Sequence, residues 1–164
     1  MKEFKKKYLF LSKKRNKHSE IKKKGYNLLG RLDYEVPGIL FFTKKKKIFV
    51  FNKQYFSLVF GNFFKYKKVI NVCNGKVSIS VFKKIFFFNC RNISLIKIKL
   101  ITGRKNQIRK QLNFLGFPIV SDKRFGDFNL NNFFSKKKIF LMNKSISFIC
   151  YNYKLYTVLN KTLF

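Results

Sequence analysis

In residues 93–101 apolar and charged side chains take turns, with Ile96, Ile98 and Leu100 on one side and Lys97 and Lys99 on the other. A two-residue period sends alternate side chains to opposite faces, so this stretch reads as a strand with one face buried and one in water. It runs directly into Thr102-Gly103-Arg104-Lys105-Asn106-Gln107, where the period changes. Ile108, Leu112 and Leu115 then fall at i, i+4 and i+7, one face of a short helix. Asn106 is expected at its N-cap, Gly116 just past its end and Pro118 as the stop beyond.

Asn74-Gly75 separates apolar stretches at 69–72 and 77–88, and Asn-Gly suits the type I′ turn of a hairpin. Residues 48–60 are β-rich, end at Gly61-Asn62 and read as one or two strands with Tyr55 near the middle. A buried strand is expected at 39–43, then a charged turn through Lys44 and Lys47, then closing strands at 139–148 and 151–159. Residues 119–134 read as loop, with Asp122 and Gly126-Asp127 as turn formers. Residues 1–24 are Lys-rich around one apolar run from Tyr8 to Leu11, an edge strand or a partly ordered basic arm. The expected architecture is α+β, a largely antiparallel mixed sheet with a few flanking helices. It forms a single domain over 25–164 behind the arm.

Charge narrows the function. The chain has 38 Lys and Arg against six Asp and Glu, a net +32 that repels itself unless a polyanion is near. Nucleic acid is the first partner to expect and an anionic membrane surface the second. Lys, Asn, Ile and Phe are all over-used while Ala and Trp are absent. Those favoured residues have AT-rich codons, so part of the charge reflects the genome and many lysines simply face water. With 46% apolar residues, 23 Phe and 8 Tyr, a 164-residue chain can still build a real core. Cys73, Cys90 and Cys150 are far apart and His18 is the only histidine, so no four-ligand zinc site is expected and the thiols read as reduced core residues of a cytoplasmic protein. No uncharged apolar run reaches the roughly 18–20 residues of a membrane span, and the run at Tyr8 is too short for a signal peptide.

Among so few carboxylates Asp33 stands out. It lies in Gly30-Arg31-Leu32-Asp33-Tyr34-Glu35-Val36-Pro37-Gly38, a Gly- and Pro-bounded loop just before a strand. A plain Asx-turn would also place an Asp there.

Four segments in order carry a family resemblance. Thr102-Gly103-Arg104-Lys105-Asn106-Gln107-Ile108-Arg109, with Leu115-Gly116-Phe117-Pro118-Ile119-Val120-Ser121-Asp122 and Phe125-Gly126, resembles the third motif of the RluA-type pseudouridine synthases. Gly30-Arg31-Leu32-Asp33 with Gly38-Ile39-Leu40 is similar to that family's catalytic-aspartate motif, and Lys53-Gln54-Tyr55 to its Lys-x-Tyr strand. Gly75-Lys76 with Ser78 and Ser80 matches a weaker segment. The resemblance covers about residues 28–128 and implies the pseudouridine synthase catalytic fold, isomerisation of uridine in RNA and no cofactor. It implies Asp33 as the catalytic aspartate and Tyr55 as the ring that stacks on the base. A guanidinium keeps such an Asp ionised in a partly dry pocket, with Arg109 the expected partner and Arg104 the second choice. Arg31 is expected to help extrude the base, and Arg104, Asn106 and Gln107 to contact substrate. The implied partner is RNA, ribosomal more than transfer RNA, with the protein a cytoplasmic monomer that binds no metal.

The chain departs from that pattern. Asn106 and Gly30 stand where the family usually has His, although Gly is known at the second place in the sister RsuA-type group. Pro37-Gly38 replaces the more usual Ser-Gly, and residues 44–52 leave no room for a helix of about four turns normally found there. The N-terminal Lys-Pro strand is at best a relic near Leu11 and Lys14, and no S4-type RNA-binding domain is expected. These losses keep open a second reading, a catalytically reduced RNA-binding remnant acting in ribosome assembly.

Overall fold

The computed structural model describes residues 8–12, 25–29, 31–44, 49–134, 138–149 and 155–159. Its strands are β1 (Tyr8–Ser12), β2 (Asn27–Leu29), β3 (Ile39–Thr43), β4 (Phe49–Phe60), β5 (Tyr66–Cys73), β6 (Lys76–Phe88), β7 (Ile93–Leu100), β8 (Leu141–Ile149) and β9 (Leu155–Leu159). The helices are α1 (Gln107–Phe114) and α2 (Phe128–Asn132). The expected α+β architecture is present. The strands form two sheets rather than one, of order β1-β3-β2 and β5-β6-β7-β4-β8-β9. Every strand pair among the described residues is antiparallel, so the mixed character expected of the sheet is not found there.

Local chemistry accounts for most of this. Asn74 and Gly75 both take positive φ, 53° and 71°, as a type I′ turn requires, and the hairpin β5–β6 closes around them. β7 alternates as its sequence dictates, with Ile96 and Ile98 fully buried and Lys99 exposed. Residues 49–60 form one long strand, not two, because β4 sits between β7 and β8 and both neighbours hold it extended. The run at Tyr8 is an edge strand, paired with β3 from Tyr8↔Thr43 to Ser12↔Ile39. The rest of the basic arm, His18, Gly30, Lys45–47 of the charged turn, residues 151–154 and Cys150 lie outside the described residues. Cys73 is buried as expected, whereas Cys90 is exposed. The stretch 119–134, read as loop, contains α2, whose Asp127 N-cap accepts from the Leu130 N–H at 2.9 Å. Among the described residues no helix is long and apolar enough to cross a membrane.

The core lies between the larger sheet and α1, where Val59, Phe82, Ile96 and Ile98 meet Ile108 and Leu112. Val36 of the Asp33 loop joins the same cluster, which draws that loop onto the sheet. One backbone contact fixes the approach. The Asn143 N–H on β8 donates to the Pro37 carbonyl at 3.1 Å, and Gly38 follows at φ 154°. A Cβ on Gly38 would stand 2.5 Å from the Asn143 Cβ. Gly38→Ala is therefore expected to destabilise the fold by about 2–3 kcal/mol, measured by urea unfolding. A loss under about 0.5 kcal/mol would mean the loop does not meet β8 this way.

Candidate active site

A cleft of about 360 Å³ is lined by the Asp33 loop, by Lys53 and Tyr55 of β4, and by the corner between β7 and α1. Its volume is at the low end for a small-molecule site and suits one nucleotide rather than a duplex. Asp33 is half-buried on its margin. The Asn106 backbone N–H donates to Asp33 Oδ1 at 3.3 Å, and the Asn106 amide nitrogen, turned to the carboxylate, donates to Oδ2 at 3.1 Å. Asn106 does stand at the N-cap of α1, but in the left-handed region with φ 55° and without a capping bond from its side chain. Its amide goes to Asp33 instead. The carboxylate thus meets the positive end of the helix.

The guanidinium of Arg109 is not the partner of Asp33 that the sequence led us to expect. Arg109 is 3% exposed and grips Asp122 with two parallel bonds, Nε to Oδ2 at 2.7 Å and Nη2 to Oδ1 at 2.6 Å, while Nη2 also meets Glu35 Oε2 at 2.6 Å. The planar fork matches a carboxylate edge-on, and Asp122 presents that edge from the loop beyond α1. Burial works to lower the Arg109 pKa, but hydrogen bonding and attraction from Asp122 and then Glu35 outweigh it and hold it above its usual value. Arg104, the second choice, donates from Nε to the Val77 carbonyl at 3.1 Å and lines the cleft.

The other expected residues divide. Tyr55 is 5% exposed and opens on the cleft. Burial and then the negative charge of Asp33 raise its phenol pKa well above the usual value, against a hydrogen bond from Asn143 that lowers it. The phenol therefore stays protonated at neutral pH. Arg31 is exposed at the margin of the cleft. Gln107 lines the cleft, yet its amide is taken up by the protein: Oε1 accepts from Thr102 Oγ1 and the Arg104 N–H, both at 2.9 Å, and Nε2 donates to Ser80 Oγ at 2.8 Å. It bolts the strand-to-helix corner to β6. Asn106 likewise spends its contacts on Asp33.

Three residues with a part here had no site role in the sequence reading. Glu35 and Asp122 hold Arg109, and Asp122 is also the turn former expected, since its Oδ1 accepts the Arg124 and Phe125 N–H groups at 3.0 Å each. The signal that could have found both was scarcity, as the whole chain has six carboxylates. Lys53 lies two residues before Tyr55, on the same face of β4, and lines the cleft. Burial lowers its pKa from 10.5.

A fixed carboxylate thus stands beside a buried tyrosine in a nucleotide-sized cleft of a very basic α+β chain. A family model described as RNA pseudouridylate synthase matches residues 2–114, and the chain belongs to that family. It is 28% identical over 149 residues to the ribosomal large subunit pseudouridine synthase C of Vibrio cholerae, covering 74% of this chain and 47% of the relative. It is 31% identical over 155 residues to the protein of the same name from Buchnera aphidicola, covering 74% and 48%. The chain thus spans about half the length of these curated relatives. Its fold is similar to that of human RNA pseudouridylate synthase domain containing 1, with a TM-score of 0.75 at 15% identity over 95% of this chain and 80% of that one. The human domain containing 4 gives a TM-score of 0.66, also at 15% identity, over 95% and 85%.

Two stability measurements test the site. Asp122→Asn breaks a buried charge pair and is expected to cost about 3 kcal/mol, whereas Glu35→Gln, at a position 42% exposed, leaves the melting temperature nearly unchanged. Equal losses would show that Arg109 is not anchored mainly by Asp122. Lys53→Met removes a partly buried cation and is expected to raise the melting temperature slightly at pH 7. The unfolded chain holds this proton more tightly than the folded one, so the wild type regains stability as pH rises from the lowered folded pKa towards 10.5. The advantage of Lys53→Met should narrow over that window. An advantage that widens would contradict the burial of the ammonium.

Proposed function

We propose that this chain isomerises uridine in structured RNA, ribosomal RNA foremost, to pseudouridine, with Asp33 as the catalytic carboxylate. The observation that carries the reading is the Asp33 carboxylate, held by Asn106 at the start of α1 and sharing a one-nucleotide cleft with Tyr55. In this reaction the N1–C1′ bond breaks, the uracil turns and C5 joins C1′. C5 gives up its hydrogen and N1 ends with one, so the atoms balance without redox chemistry or a second substrate. A fixed carboxylate can attack C1′ or C6, or take a proton from the sugar.

The remaining residues receive parts that fit their positions. Tyr55 keeps its proton at neutral pH, so its contribution is a ring against the base rather than acid–base exchange. Glu35, Arg109 and Asp122 act through position, joining the Asp33 loop to α1. Arg31, Arg104 and Lys53 supply positive charge around the cleft, Arg31 taking the place of the extruded base in the stack. Extrusion costs a few kcal/mol, and phosphate contacts from lysines offset it. Bases in single-stranded loops are the cheapest to extrude, which favours loops as targets. Ribosomal RNA is preferred to transfer RNA because the relatives carry that substrate in their names. We place the protein in the cytoplasm as a monomer.

The test is pseudouridine mapping, by carbodiimide adducts and reverse-transcription stops, on ribosomal and transfer RNA. Wild type is expected to create a stop that Asp33→Asn does not, with RNA binding unchanged between them. Turnover retained by Asp33→Asn would overturn the assignment of the aspartate. A folded wild type that binds RNA and modifies neither would leave the ribosome-assembly remnant as the better reading.

A further inference from the structure

The larger sheet has a second face, turned away from α1 and the cleft. Antiparallel partners share a face, so the register places Tyr66 beside Lys83, Lys83 beside Lys97 and Lys97 beside Phe56 in one row across β5, β6, β7 and β4. The next row runs Lys68, Val81, Lys99 and Gln54. Tyr66 is 60% exposed, Lys68, Lys83 and Lys99 are exposed and Lys97 is partly so. Lys83 and Lys97 stand directly opposite, a like-charge pairing that weakens a sheet.

Nothing acidic among the described residues answers these lysines. Asp33 lines the cleft, Glu35 and Asp122 are paired with Arg109, and Asp127 caps α2. Strand and residue spacings put neighbouring lysines of the two rows about 5–10 Å apart, within reach of successive phosphates of one strand. An exposed aromatic on an open sheet beside such cations offers a base a stacking surface. A second protein copy or a lipid surface would meet this face through Ile70, Val72 and Val77, in the rows between Lys68 and the turn, and through Phe86 on the other side of the Lys83 row.

We propose that this outer face is a second RNA-binding surface, with single-stranded RNA lying along Lys68, Lys83, Lys97 and Lys99 and a base stacked on Tyr66. It deepens the RNA reading and rests on it. It would hold RNA flanking the target while the cleft on the opposite face takes the nucleotide.

The test uses the full chain and a fluorescein-labelled 30-nucleotide oligouridine, titrated at several salt concentrations. A triple variant, Lys83→Gln with Lys97→Gln and Lys99→Gln, should bind at least tenfold more weakly. Its plot of log affinity against log salt should be shallower by about 2, since each phosphate contact on a single strand is worth about 0.7. Its melting temperature should equal or exceed that of the wild type, because an opposed like charge is gone. Tyr66→Ser should weaken binding about tenfold without changing the salt slope. An unchanged affinity and slope in the triple variant overturns the surface while leaving the cleft reading intact. Failure of the wild type to bind the oligouridine overturns this surface, and failure to bind ribosomal RNA as well overturns the RNA reading itself. A triple variant that loses self-association instead, seen by sedimentation, assigns the face to a second copy and overturns the proposal.

Discussion

One guanidinium ties together the parts of the site. Arg109 projects from α1 into the protein, takes Asp122 from the loop that follows the helix, and reaches Glu35 in the loop that carries Asp33. α1, the loop after it and the far-off Asp33 loop are thereby held to one another through charge-assisted bonds. The contribution is better described as geometry than as stability, because a buried ion pair loses much of its attraction to desolvation. What it secures is the distance between the Asp33 loop and the start of α1. Asn106 can then bridge the two.

The chain has only six carboxylates against 38 basic side chains, and four of the six are among the described residues. Three of them stand at one corner, where each does a local job. The sheet face beyond that corner is left cationic, with Lys83 standing directly opposite Lys97. That division explains how a chain of net charge +32 can have a well-formed core and a surface that repels itself.

Much of this was legible before any coordinates. Period two at Ile96, Ile98 and Leu100, the Asn74-Gly75 turn and the i, i+4, i+7 spacing of Ile108, Leu112 and Leu115 are local patterns, and local patterns survive folding. Motif order grouped Asp33, Tyr55 and Arg31, and all three line the cleft. The partner of Arg109 was not legible. Which of several carboxylates meets a guanidinium depends on side-chain direction across a gap between three segments, and sequence spacing does not encode that. Asn106 shows the same limit, since its left-handed backbone serves a carboxylate 73 residues earlier rather than its own helix. Lys53 was visible as a motif letter, but its partial burial follows from the Asp33 loop and the β7–α1 corner closing a cleft over that face of β4.

The central place of β4 also governs when the site can exist. Its partners arrive late: Lys53 pairs with Leu100 on one side, and Phe49 with Ile149 on the other. Pairings of such long range are slow to form, because the loops they close must be ordered first. During synthesis the Asp33 loop and Tyr55 emerge early, but the Pro37 carbonyl and the Tyr55 hydroxyl both wait for Asn143. A nascent or truncated chain lacking β8 is therefore a polycation without the assembled cleft, able to cling to a polyanion before the Asp33 loop has its seat.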